Sequence, residues 1–128
     1  MATIRTSIAP WLHVKGSARA VEFYKKALNA METYRLDIPD GTVIARLAVD
    51  DAEFWVAEES APDSLGPQSL GAVSCRIILT VNDPDTLFAQ VLSAGASEVY
   101  AVAEAHGWRV GRLIDPFGHH WEIGKLLE

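Results

Sequence analysis

The sequence has a single cysteine, Cys75, among 128 residues. An internal disulfide is therefore excluded, and the thiol is expected to be a small apolar side chain within a strand, in a reducing compartment. Basic residues are also scarce: Lys and Arg number 11 against 17 Asp and Glu, for a formal net charge of −6. With no basic stripe, a nucleic-acid backbone is not an expected partner. Long apolar runs are missing too, and those present are far too short to cross a bilayer. Met1 to Pro10 carries no apolar signal core, so a cytoplasmic protein is expected. There is no glycine-rich phosphate loop, no CxxC pair and no local Ser-His-Asp arrangement. What is present, 49% hydrophobic and 22% charged residues, is the composition of one soluble domain, able to bury about two thirds of its extended surface.

The second half of the chain repeats the first, 66 positions on. Gly41 matches Gly107, Arg46 matches Arg112, Leu47 matches Leu113 and Trp55 matches Trp121. Ala30/Ala96, Glu32/Glu98 and Tyr34/Tyr100 share that offset, and no gap is needed from Ser17 to Glu59. A unit of this size cannot bury a face alone, so two of them must share a core. The chain thus divides into module one (about 1–59), a linker (60–71) rich in Pro, Gly and Ser, and module two (about 72–128).

Each module reads as βαβββ. In module one, a strand over Ile8–Val14 has Pro10 near its start, marking an edge or a bulge. Ser17 is placed to cap a helix through Leu28, with Ala20, Val21, Tyr24, Ala27, Leu28 and Met31 on its buried stripe. Strands are expected at Glu32–Leu36, Val43–Val49 and Phe54–Glu58, with Glu58 and Glu59 solvated at the end. In module two, Cys75–Val81 is a strand and Asp83-Pro84 opens a helix that Gly95 stops. Strands at Glu98–Val102, Arg109–Ile114 and His120–Ile123 follow.

Two βαβββ units, the helix Ala-Val-Glu-Phe-Tyr-Lys-Lys-Ala-Leu (20–28) and the turn Asp-Pro-Phe-Gly-His-His-Trp-Glu (115–122) together resemble the vicinal oxygen chelate superfamily. That superfamily holds glyoxalase I, extradiol dioxygenases, fosfomycin-resistance enzymes and bleomycin-binding proteins, and the likeness is to its glyoxalase-like, PhnB-related branch. The resemblance implies an α+β fold in which eight strands form a U-shaped mixed sheet around a cleft. It also implies a homodimer. It does not imply a reaction, because this fold hosts many.

In the metal enzymes of the superfamily, each module supplies one ligand from its first strand and one from its last. Carried onto this chain, those positions fall on Glu122, on Val56 as its repeat partner, on Arg76 and near Ala9. Only Glu122 offers a donor suited to a divalent ion, and a guanidinium repels one. No metal cofactor is therefore expected, with a shifted site of His13, His120 and Glu122 as the alternative. Strand parity lines the cleft with Trp11, His13, Phe54, Val56, Arg76, Ile78, Thr80, His120 and Glu122, and puts Trp55 and Trp121 behind the sheet. The superfamily pattern turns Arg112 inward, and the repeat turns Arg46 with it. The candidate ligand-binding set is Trp11, His13, Arg46, Phe54, Arg76, Arg112, His120 and Glu122. Forked donors and flat apolar walls favour a small anionic or aromatic organic molecule. Three functions stay open: metal-free binding, metal-dependent lyase or dioxygenase chemistry through Glu122 with histidines, and metal-free acid–base catalysis by Glu122 or His13. Arg76, Arg112 and Glu122 have a second reading as a structural ion-pair network.

Overall fold

The computed structural model describes residues 3–128. Module one contributes β1 (Trp11–Val14), α1 (Ser17–Leu28), β2 (Met31–Asp37), β3 (Val43–Val49) and β4 (Ala52–Glu58). A short α2 (Pro67–Leu70) lies in the linker. Module two contributes β5 (Arg76–Thr80), α3 (Pro84–Ala94), β6 (Ser97–Ala105), β7 (Trp108–Ile114) and β8 (His120–Leu126). The strands form two four-stranded mixed sheets, ordered β1-β4-β3-β2 and β5-β8-β7-β6, each with its first strand parallel to its last. The fold is α+β, two βαβββ modules, and the sheets are not closed onto one another.

The helix ends are set by local chemistry. Gly16 takes the N-cap position at φ 90°, a left-handed conformation that residues with side chains rarely adopt. The capping oxygens come from Glu58 at the end of β4, which accepts from the Gly16 and Ser17 amides at 2.9 and 2.8 Å. Ser17 is not the cap: its buried hydroxyl accepts from the Val43 amide at 2.9 Å and ties α1 to β3. Asn29 closes α1 in the left-handed region, at φ 57°. Met31 therefore lies beyond the helix, in β2, and is exposed rather than part of the buried stripe. In α3, Asp83 accepts from the Thr86 amide and Pro84 fills the first turn, as the sequence predicts.

One core joins the modules. α1 packs on α3, and Gln90 donates to the Lys26 and Ala27 carbonyls and to Asn29 Oδ1 at 3.0–3.1 Å. Those carbonyls belong to the last turn of α1, which lacks partners of its own. Tyr24 sits between the sheets, with its ring 5.2 Å from Phe54 and 5.8 Å from Trp121. Its hydroxyl donates to Asp115 Oδ2, and Trp121 Nε1 reaches the same oxygen at 2.9 Å. Burial, then the Asp115 charge, holds the Tyr24 pKa well above its ordinary value. Asp115 Oδ1 accepts from the Phe117 and His119 amides, which shapes the turn into β8.

The pairings correct the register of the repeat. Arg46 pairs across to Trp55 and Leu47 to Phe54, whereas Arg112 pairs to Glu122 and Leu113 to Trp121. The offset is 66 in β3 and β7 but 67 in β4 and β8, because the Asp115–His119 turn is one residue longer than its counterpart. A one-residue slip exchanges the faces of a strand. The structural equivalent of Trp121 is thus Phe54, and both are core, 3% and 4% exposed. Phe54 and the fully buried Val56 do not line an open face; Trp55 does.

Candidate functional site

Each sheet turns one face to the helices and leaves the other open. Four side chains cross the open face of each module at matching positions. In module one the row is Trp11, Trp55, Arg46 and Tyr34. In module two it is Ile78, Glu122, Arg112 and Tyr100. The repeat has kept the arginine and the tyrosine and diverged at the other two positions.

The module-one row is an aromatic platform. Trp11 stacks on Trp55, with centroids 5.6 Å apart and planes 20° apart. Tyr34 leans on Trp55 at 5.7 Å, and the Arg46 guanidinium lies 5.4 Å from the Trp55 ring. Arg46 Nε also donates to Thr33 Oγ1 at 2.8 Å and pairs with Glu53 at 3.1 Å. Trp11 stays 46% exposed. Beside it, His13 faces a hollow of about 330 Å³ shared with Asp40, Thr42, Glu59 and Ser64. His13 Nδ1 is buried without a hydrogen-bond partner among the described residues, and the His13 carbonyl accepts from His119 Nε2 at 2.9 Å.

The module-two row is a polar cluster at the edge of an apolar hollow. Glu122 accepts from the Tyr100 hydroxyl at 3.2 Å and pairs with Arg76 Nη1 at 3.2 Å. Burial, then the Glu122 charge, raises the Tyr100 pKa, which keeps the hydroxyl a donor. Arg112 Nη2 lies 2.7 Å from His120 Nδ1. A guanidinium only donates, so Nδ1 accepts and His120 is neutral, with its proton on Nε2. Burial, then the Arg112 charge, lowers the His120 pKa in keeping with this. Ile78, Ala103, Trp108 and Val110 wall a hollow of about 540 Å³ with Tyr100 and Glu122 at its margin.

Seven of the eight candidate residues occupy these open faces; Phe54 is the exception. They do not form one site within the chain. Trp11, His13 and Arg46 belong to module one, Arg76, Arg112, His120 and Glu122 to module two; the hollow beside His13 is lined by module one and the linker residues Ser60 and Ser64, and the hollow beside Glu122 by module two. The described residues contain no group of three or more His, Cys, Asp or Glu able to hold a metal ion. The shifted trio of His13, His120 and Glu122 does not converge, and Arg112 occupies His120 Nδ1. With the register corrected, the position equivalent to Glu122 is Trp55 rather than Val56, and it too lacks a donor. The described residues do not fit a divalent ion.

Sequence reasoning missed Trp55, Tyr34 and Tyr100. The tyrosines were detectable: they repeat at the arginine offset and sit directly across from Arg46 and Arg112. Glu58 and Glu59 are not merely solvated: Glu58 caps α1, and Glu59 accepts from the Gly66 amide and Ser69 Oγ. Cys75 is exposed and lies just before β5, not within it.

Residues 11–124 match the family model for the glyoxalase-like domain, and the chain belongs to that family. Its fold is that of the glyoxalase, bleomycin-resistance and dioxygenase superfamily. The uncharacterized Mycobacterium bovis protein Mb0911c is 37% identical over 128 residues, spanning 95% of this chain and 84% of its relative. Among solved structures, TioX from Micromonospora sp. ML1 is 24% identical, with a TM-score of 0.73 over 95% of this chain and 100% of that one. The fosfomycin resistance protein FosX of Listeria monocytogenes is 14% identical, with a TM-score of 0.73 over 97% and 95% of the two chains. These two likenesses concern the fold alone.

Proposed function

We propose that this chain is a metal-free binding protein for a small organic molecule with a flat apolar part, held on its open sheet faces. The observation that carries the reading is the module-two hollow, in which apolar walls meet a small set of convergent polar groups. Sites of this composition orient a ligand by a few polar contacts and hold it by area. The Trp11–Trp55 platform supplies a second stacking surface.

The open faces also support a homodimer. Ile78 is 60% exposed and Trp11 46%, and each row is flat and uncovered in the single chain. Pairing module one of one copy with module two of another would enclose both rows in a shared cup. Residence in the cytoplasm belongs to the same proposal, supported by the lone exposed thiol. No helix among the described residues is long and apolar enough to cross a membrane.

The alternative, a metal-dependent lyase or dioxygenase using Glu122 with histidines, would need donors that the described residues do not bring together. Elemental analysis with a chelator challenge separates the two. Binding without metal requires clearly less than one transition ion per chain and a Tm unmoved by EDTA. One tightly held nickel, zinc, iron or manganese per chain would reject it. Sedimentation at micromolar concentration tests the dimer, which a monomer over that range would exclude.

A further inference from the structure

The repeat supplies an internal comparison for its two open-face arginines. In module one, Arg46 Nε has partners: Thr33 Oγ1 accepts from it at 2.8 Å, and Glu53 Oε2 lies 3.1 Å from it and balances the charge. The pairings identify the counterparts of both partners in module two. Glu53 pairs across to Ala48, and His120 to Ile114, so His120 stands where Glu53 stands. Thr33 lies at the β2 irregularity between Glu32 and Tyr34, and Val99 at the matching one between Glu98 and Tyr100. Module two has therefore replaced an acceptor and a carboxylate with an isopropyl group and a neutral imidazole.

Arg112 shows the consequence. Its Nε is buried and finds no hydrogen-bond partner among the described residues. It forms no ion pair among them either, since the nearby Glu122 is taken by Arg76 and Tyr100. A buried donor left unpaired and a cation left unbalanced are both costly. His120, held by Arg112 as the Nε2–H tautomer, adds a second fixed donor.

We propose that Arg112 and His120 are an oxyanion-recognition pair, taking the carboxylate or phosphate group of a ligand whose apolar part lies in the module-two hollow; the pair stands beside that hollow rather than in its wall, Arg112 lying directly across from Tyr100 and Glu122, which line it. The proposal rests on the small-molecule reading above and narrows it to anions. The ligand oxygens would supply on this half what Thr33 and Glu53 supply to Arg46. Charge-assisted contacts of this kind are worth about tenfold or more in affinity.

The test uses the full chain and three probes: benzoate, its neutral isostere benzamide, and inorganic phosphate. Benzoate should bind at least about tenfold more tightly than benzamide and move the Arg112 Nε–H resonance. The relative affinities of benzoate and phosphate then distinguish a carboxylate from a phosphate ligand. The double variant Val99→Thr with His120→Glu gives Arg112 the partners Arg46 has. It should melt no lower than wild type and lose the preference for benzoate. Retention of that preference in the folded variant overturns the proposal. So does an Arg112 resonance that no probe moves in wild type, a measurement that stands even where the variant fails to fold. Equal binding of benzoate and benzamide overturns the anion pair while leaving the small-molecule reading in place. Failure of both ring probes to perturb any open-face tryptophan removes both.

Discussion

The Tyr24 hydroxyl, carried by α1 of module one, donates to the Asp115 carboxylate at the turn opening β8 of module two. This contact joins the halves at the centre of their shared core, where Phe54 and Trp121 flank the tyrosine ring. Tyr24→Phe removes one bond to a charged group and should cost about 1.5–3 kcal/mol in urea denaturation. Asp115 keeps three other donors, so the variant should still fold. The raised Tyr24 pKa also fixes a direction with pH. Above the ordinary tyrosine pKa of about 10 an unfolded tyrosine loses its proton while the buried one keeps it, so stability falls as pH rises through that range. Tyr24→Phe should show a smaller alkaline loss than wild type.

Phe54 and Trp55 test the corrected register. Phe54→Ala should cost about 3–5 kcal/mol, as for a large side chain cut from a packed core. Trp55→Ala removes an exposed-face platform and should cost roughly 1–2 kcal/mol. Equilibrium unfolding of both variants measures the difference, and the reverse order would restore the uninterrupted repeat.

His120 gives the acid-side prediction. Its pKa lies below the ordinary histidine value of about 6.5, through burial and then the Arg112 charge. As pH falls through that value the unfolded chain takes up a proton that the folded chain refuses, and stability declines. Carbon-bound proton shifts of His120 should titrate below pH 6.5, and His120→Gln should flatten the Tm profile on that side.

Glu58 caps α1 from the end of β4. Burial alone would raise its pKa, yet the Gly16 and Ser17 amides outweigh that and hold it below the usual carboxylate value. Glu58→Gln should cost about 1 kcal/mol at neutral pH. The wild-type advantage should vanish as acid protonates the carboxylate, which denaturation at two pH values would show.

Much of this molecule was legible because its signals are local. The Asp83-Pro84 start of α3, its stop at Gly95 and the period of each strand follow from side-chain chemistry within a few residues. The repeat then ordered the modules and pointed to Arg46 and Arg112. What failed was parity. One extra residue in the Asp115–His119 turn shifts the equivalence, so that Phe54 answers to Trp121 in the core and Trp55 to Glu122 on the open face, and a tryptophan at the same offset in both halves concealed the slip. The partition of the candidate site was illegible for another reason. Tyr24, Phe54 and Trp121 place the helices and one core where a cleft was expected, a tertiary choice that no strand-level pattern encodes.

The indole N–H spectrum during a benzoate titration tests the central claim most directly, because the four tryptophans report on different places. Trp108 borders the module-two hollow, Trp11 and Trp55 form the module-one platform, and Trp121 is bonded to Asp115 in the core. The open-face account predicts that Trp108 shifts, joined by Trp11 and Trp55 where a dimer encloses both rows, while Trp121 stays in place. Movement of Trp121 alone, or of no indole at saturating benzoate, would contradict it.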